Sequence, residues 1–294
     1  MKQTLHQLLA QRKPILYDGA TGTFLQELGL PIGVAPEAWV LNDPARVYTA
    51  AEAYVNAGAQ IILTCTFGGT AVRLLEAGLD ARAFELNRHA AELAREAAGE
   101  RALVAGSMGP LGRMQIAMGA LTYADAVDQF ADQATALAEG GVDLLQIESM
   151  SDRQEMKAAI EGARRVTDLP IFATMSFDTA GRTLLGVTPT IAARELVELK
   201  VNAIGANCWR SPEDMVALLR EMRRAAPVMP LIAKPNAGIP EIRAGKAVYS
   251  ITPEQFAAHA RDWIRATAKI VGGCCGTTPA HIAAMRAVIS QSGN

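Results

Sequence analysis

Short apolar runs alternate with helix-patterned stretches eight times along this chain, and that alternation limits its fold more than any other feature. The runs are Pro14 to Asp18, Ile61 to Cys65, Leu103 to Ser107, Leu144 to Glu148, Ile171 to Met175, Ala203 to Asn207, Leu231 to Pro235 and Ala268 to Gly272. Continuous apolar runs of this length suit strands buried on both faces of a parallel sheet. The stretches between them carry helix marks. Ala126, Phe130, Ala134 and Leu137 share helical spacing. Thr188-Pro189, Ser211-Pro212, Thr252-Pro253 and Thr278-Pro279 each set a hydroxyl at the N-cap and a proline in the first turn. Eight β-then-α units in 294 residues match the count and length of a (β/α)8 barrel. A doubly wound open sheet is the alternative, but no GxGxxG turn supports it. The expected fold is therefore α/β, a single (β/α)8 TIM-type barrel with its site at the C-terminal ends of the strands.

That placement gives the polar residues at the run ends a meaning, because sites of such barrels form there. In chain order they are Asp18, Thr64 to Thr66, Ser107, Glu148 with Ser149, Asn207 with Cys208, Asn236, and Cys274 with Cys275. Cys274 and Cys275 stand side by side between Gly272-Gly273 and Gly276. Neighbouring residues on a strand point to opposite faces. Both sulfurs can reach one point only if the backbone turns sharply, which glycine permits. With Cys208 they would make a three-sulfur zinc site whose fourth position is open, the mark of a catalytic zinc. Two other readings stand beside it: three small buried hydrophobes, or a redox pair at Cys274-Cys275.

Such a zinc would deprotonate a thiol entering its open position. Free thiols titrate near 8.5, so little thiolate is present at neutral pH without help. Asp18 and Glu148 could grip the ammonium of an amino acid, with backbone amides from Gly19 to Thr23 taking its carboxylate. Alternatively each caps a helix or pairs with an arginine such as Arg153. Cys65 is either a fourth ligand or a small pocket or core residue. Met108, Met114 and Met118 either line a lid over the site or pack their own loop. The four histidines lack metal-ligand spacing and read as surface or packing residues.

Composition narrows the partners. Net charge is −2, and no basic run is interleaved with aromatics, which argues against nucleic acid. No apolar run is long enough to span a bilayer, and the N-terminus lacks a signal-peptide pattern. Four cysteines without a leader suit reduced thiols in the cytoplasm. Eight βα units use the whole length, so a folate or cobalamin domain is not expected within it.

Several segments together carry a resemblance. Asp18-Gly19-Ala20-Thr21-Gly22-Thr23, Thr64-Cys65-Thr66-Phe67-Gly68, Gly109-Pro110, Ile147-Glu148, Gly205-Ala206-Asn207-Cys208, Lys234-Pro235-Asn236-Ala237-Gly238 and Gly272-Gly273-Cys274-Cys275-Gly276-Thr277 resemble the homocysteine S-methyltransferase family, in order and over nearly the whole chain. Within that family the pattern is most similar to the homocysteine-binding module of cobalamin-dependent methionine synthase. The resemblance implies one homocysteine-binding (β/α)8 domain over residues 1–294. It implies zinc on Cys208, Cys274 and Cys275, and homocysteine sulfur as fourth ligand. It also places Asp18 and Glu148 near the amino group, with Thr66 and Phe67 lining the pocket. Two positions depart from the family: Cys65 stands where asparagine is usual, and Trp209-Arg210 where smaller residues are usual. Both could reshape the pocket and its choice of thiol.

The expected function is zinc-dependent methyl transfer to the homocysteine thiolate, giving methionine. The donor is open among S-methylmethionine, S-adenosylmethionine, betaine and methylcobalamin. Methylcobalamin would come free or on a partner corrinoid protein. Trp39, Trp209 and Tyr17 are the aromatic candidates for a quaternary ammonium. The alternative functions are a thiol- or methyl-acceptor subunit of a corrinoid-dependent demethylation system that needs a partner protein, and a non-catalytic metal or redox sensor.

Overall fold

A computed structural model describes residues 3–112, 116, 118–178, 180–208, 211–243 and 246–291. All eight expected strands form, close to the boundaries the apolar runs imply. They are β1 (Ile15–Leu16), β2 (Ile61–Leu63), β3 (Leu103–Met108), β4 (Leu144–Met150), β5 (Ile171–Met175), β6 (Ala203–Asn207), β7 (Leu231–Lys234) and, after a hairpin described below, β10 (Ala268–Val271). They make one parallel sheet in the order β2-β3-β4-β5-β6-β7-β10-β1. A parallel bridge from Tyr17 to Ile61 joins the two ends and closes the barrel. The barrel reading holds, and the open-sheet alternative does not.

The interior is layered from bottom to mouth. At the N-terminal end, Ile15, Ile61, Leu103, Leu144, Phe172 and Ile270 pack together, and Leu8 from the helix Leu5–Ala10 plugs them from below. Full burial of each such side chain is worth about 1.5–3 kcal/mol relative to exposure. Above this plug the lining turns polar. Tyr17 Oη lies 3.4 Å from Gln146 Oε1, and Gln146 Nε2 lies 3.2 Å from Thr174 Oγ1. The barrel interior is therefore apolar at its lower end and polar above it. Outside, alanine-rich helices such as Ala83–Ala98, Tyr123–Glu139 and Arg153–Val166 press their small buried faces onto the strands.

Two of the four expected caps form as read: Thr188 accepts from the Ile191 amide and Thr252 from the Gln255 amide. The last helix starts at Pro279, where the Thr278 hydroxyl meets His281 Nδ1. Ser211 does not cap a helix: the chain turns over residues 212–214, and the helix begins only at Met215. The Ser211 hydroxyl bonds the Asp214 carboxylate instead. Three helices between β1 and β2 carry no run-and-gap signal: Thr21–Glu27, Ala38–Asn42 and Pro44–Ala57. Nor does the hairpin of β8 (Glu241–Arg243) and β9 (Lys246–Val248), which stands outside the barrel sheet. No helix among the described residues is long and apolar enough to cross a membrane.

Candidate metal centre and pocket

Cys274 and Cys275 follow β10, where the backbone leaves the sheet in a tight turn. Gly273 N donates to Asp18 O, Cys274 N to Pro235 O, and Thr277 N back to Cys274 O, all within 3.1 Å. The Thr277 hydroxyl donates to that same Cys274 carbonyl at 2.7 Å. A β-carbon on Gly273 would lie 2.3 Å from the Thr277 hydroxyl, so only glycine fits inside the turn. The turn frees both neighbouring sulfurs from the strand alternation and aims them at Cys208. That cysteine follows β6 with φ of +57°, a left-handed conformation rare outside glycine. The three Sγ atoms all lie within 4.8 Å of one another, and Cys208 and Cys275 stand 3.5 Å apart.

This donor set fits zinc. Three soft sulfur ligands suit the ion, and a tetrahedron with Zn–S of about 2.3 Å has edges of about 3.8 Å. The thiol cluster is itself electron-rich. Hydrogen bonds from Cys208 and Cys274 hold Cys275 well below the ordinary thiol range, and the same sharing holds Cys208 well above it. Cys65 does not join them. It is buried, its thiol is pushed well up by burial, and it lies in the wall of the pocket.

The sulfurs open onto a cavity of about 770 Å³. Glu148, Ser149, Thr66, Phe67, Lys234 and the segment from Gly19 to Thr23, which enters the helix Thr21–Glu27, line it. Glu148 is buried, accepts from Ser107 Oγ at 2.6 Å and faces Asn207 Nδ2 at 3.4 Å. Burial raises its carboxyl to about 7, against the opposing pull of Lys234. Thr66 is tied down: its hydroxyl donates to Ser107 O at 2.7 Å and meets Thr64 Oγ1 at 2.6 Å. Phe67 is partly exposed and closes one wall.

Asp18 lies behind that wall rather than in it. Its Oδ2 accepts from Leu63 N at 2.6 Å, and its Oδ1 pairs with Lys234 Nζ at 3.2 Å. Burial pushes the Asp18 carboxyl up, and Lys234 and the Leu63 amide pull it partly back. The Lys234 ammonium sits 4.1 Å over the Tyr17 ring. Burial opposes its charge, but Asp18 and Glu148 outweigh that and hold its pKa above the ordinary lysine value. Sequence reasoning gave Lys234 no role. The signal was there, a lysine ending the otherwise apolar run Leu231-Ile232-Ala233. Glu37 was missed too. It is buried, lines the cavity and accepts from Gly68 N at 2.6 Å.

Other expected residues fall elsewhere. Arg153 pairs with Glu195, not with Asp18 or Glu148. Tyr17 gives its ring face to Lys234, and Trp39 lies under Arg46, so neither is free to face a quaternary ammonium. Met108 is buried and Met118 exposed; Met114, Trp209 and Arg210 lie outside the described residues. His281 is a packing residue, with Nδ1 on Thr278 and Nε2 at 3.0 Å from Ile251 O. Asn236, two residues past β7, keeps a buried amide oxygen without a hydrogen-bond partner.

Comparison with known proteins agrees with this geometry. The homocysteine S-methyltransferase family model matches residues 15–289. Methionine synthase of Mycobacterium tuberculosis (strain ATCC 25618 / H37Rv) is 33% identical over 305 aligned positions, covering 98% of this chain and 25% of that protein. Its Mycobacterium leprae counterpart is 32% identical with the same coverage. The chain thus spans about a quarter of the length of these curated relatives. Among solved structures, the metallated form of the homocysteine methyltransferase MmuM from Escherichia coli superposes with a TM-score of 0.82 at 27% identity, covering 96% of this chain and 99% of that one. A methyltransferase from Methanosarcina mazei, 12% identical with a TM-score of 0.68, shares the fold. The family match runs from the first barrel strand to the last helix and takes in the cysteine turn, so the chain belongs to the homocysteine S-methyltransferase family.

Proposed function

We propose that residues 1–294 form one homocysteine-binding domain that transfers a methyl group to the homocysteine sulfur, giving methionine, with zinc held by Cys208, Cys274 and Cys275. The observation that carries this reading is the convergence of three sulfurs from two strand ends on the floor of a 770 Å³ cavity. Zinc there supplies the Lewis acidity that makes an entering thiol a thiolate at neutral pH. The chain's own residues do the rest. Glu148, on the cavity wall, takes the substrate ammonium. Asp18 adds negative potential from behind the wall and fixes Lys234. Amides of Gly19 and of the first turn of the helix Thr21–Glu27 meet the substrate carboxylate, while the Ala20 amide donates to Thr277 Oγ1 at 3.1 Å. Thr66 and Phe67 shape the space in which the sulfur's lone pair displaces the donor's leaving group. The reading places the protein in the cytoplasm, where three free thiols stay reduced.

Zinc-edge X-ray absorption on reduced protein tests it. The expected shell holds three sulfurs alone and four with homocysteine. An unchanged shell would remove homocysteine as the acceptor, and a protein that takes up no zinc would remove the metal.

A second reading concerns the donor and has its own support. Ten of the fifteen exposed large apolar side chains among the described residues lie in the connections that follow barrel strands, the β8–β9 hairpin included: Ile32, Val34, Phe67, Leu75, Met118, Leu184, Leu185, Ile239, Ile242 and Val248. Exposed apolar side chains gathered in these connections suit a protein partner. On this reading a corrinoid protein brings the methyl group as methylcobalamin, and the chain is the acceptor subunit of a corrinoid-dependent system. Turnover with S-methylmethionine or another small donor alone would set this reading aside. Turnover only with a methylated corrinoid protein would support it.

A further inference from the structure

The cysteine turn and the segment from Gly19 to Thr23 both line the cavity, and they are stitched to each other. Gly273 N donates to Asp18 O at 2.9 Å, and Gly276 N to Thr23 Oγ1 at 3.1 Å. Thr277 adds a third tie. Its Oγ1 accepts from Ala20 N at 3.1 Å and donates to Cys274 O at 2.7 Å. Tyr54, from the helix Pro44–Ala57, closes the seam. Its hydroxyl lies 2.9 Å from Ala20 O and 3.0 Å from Thr277 O. Both are carbonyl acceptors, so one phenolic hydrogen serves the two. The fit leaves no slack: a β-carbon on Gly19 would lie 2.7 Å from Thr277 Oγ1 and 2.9 Å from Tyr54 Oη. Tyr54 is 2% exposed and Thr277 fully buried, and neither lines the cavity. They act on the wall, not on the substrate.

A substrate gripped at two points binds well only where those points keep their spacing. A misplacement of about 1 Å can cost on the order of 100-fold. We propose that Tyr54 is a positioning residue: its hydroxyl fixes Ala20 to Thr277, and so sets the distance between the sulfurs and the wall that meets the substrate carboxylate. The inference rests on the reading given above, in which the metal takes the thiol and the segment from Gly19 to Thr23 the carboxylate. It adds to that reading a residue that touches neither metal nor substrate.

Zinc-loaded wild type, Tyr54→Phe, Thr277→Val and Thr277→Ser are titrated in a calorimeter with homocysteine and with homocysteamine, which is homocysteine without its carboxylate. Wild type should bind homocysteine the more tightly. Tyr54→Phe keeps the ring that packs edge-on against Phe24 and loses only the hydroxyl. It should weaken homocysteine about fivefold, the equivalent of one net hydrogen bond, and leave homocysteamine unchanged. Thr277→Val should show the same selective loss, and Thr277→Ser should keep the wild-type preference. A merely structural Tyr54 would weaken both thiols alike, and that result overturns the inference. An unchanged homocysteine affinity in Tyr54→Phe overturns it too. A wild type that binds the two thiols equally well overturns the carboxylate reading instead, and this inference falls with it. A wild type that takes up no zinc does the same to the metal reading. If Tyr54→Phe does not fold, the Thr277 pair reads the same tie, and equal homocysteine affinity of Thr277→Val and Thr277→Ser overturns the inference.

Discussion

Lys234 Nζ lies 3.2 Å from Asp18 Oδ1 inside the barrel, with side-chain exposures of only 1% and 2%. Breaking a buried pair by removing one partner leaves an uncompensated charge and costs about 3–5 kcal/mol. Lys234→Met should lose stability on that scale in urea denaturation, since Asp18 would keep only the Leu63 amide. The double variant Lys234→Met, Asp18→Asn should recover a large part of the loss. If the two substitutions cost the sum of their separate effects, the pair is not coupled.

Glu148 gives a pH dependence with a definite sign. Its carboxyl sits at about 7 in the folded chain, against an ordinary value of 4.5. Below the lower value it is protonated in both states, and above the higher it is ionised in both. Between them the folded state holds more protons, so stability falls as pH climbs from about 4.5 to about 7. The full fall is on the order of 3 kcal/mol. Glu148→Gln should flatten it. Binding runs the other way: homocysteine affinity in wild type should strengthen as pH rises through about 7, where the carboxylate that takes the ammonium forms. Calorimetric titration at pH 6 and pH 8 reads this. Equal wild-type affinities at both would take Glu148 out of the binding site.

Cys208→Ser and Cys275→Ala should lose zinc and methyl transfer together. Cys65→Ala should keep one zinc per chain, because Cys65 stands apart from the three clustered sulfurs. Zinc content by atomic emission beside turnover checks both. Activity that survives the loss of zinc would end the proposed mechanism, and zinc lost from Cys65→Ala would add a fourth ligand.

The barrel was legible because its strands are buried on both faces. Each reads as an unbroken apolar run, and eight of them leave few topologies. The sulfur site was legible for a related reason. Cys208 and Cys274-Cys275 end such runs, and a barrel brings run ends to one mouth. What stayed hidden depends on side chains that meet across strands. Nothing in the sequence near Asp18 says that its carboxylate faces Lys234, 216 positions away. Ser211-Pro212 has the residues of a helix start, yet the chain spends them on a turn and the helix begins at Met215.

Asn207 offers the sharpest test of how the site is held, since its two amide atoms serve five partners. Oδ1 accepts from Ser149 N at 2.8 Å and from Thr174 Oγ1 at 2.6 Å. Nδ2 donates to Ser149 Oγ at 2.6 Å and approaches Glu148 Oε2 at 3.4 Å and Cys274 Sγ at 3.8 Å. Ser149 holds φ of +61°, a left-handed conformation that costs about 1–3 kcal/mol unless neighbours enforce it. Asn207→Ala removes that enforcement and strands the half-buried Ser149 donor and the buried Thr174 donor. We expect about 2–4 kcal/mol of lost stability. Metal affinity should drop about tenfold because Cys274 loses its donor. Homocysteine affinity should fall as well, since Glu148 shares the same amide. Asn207→Asp separates these effects. It can still accept from Ser149 N and Thr174, so stability should be partly kept. It sets a second carboxylate against Glu148 and Cys274, so binding of metal and substrate should change more than folding does. Loss of stability with metal and thiol binding untouched would show that Asn207 supports the strand ends alone.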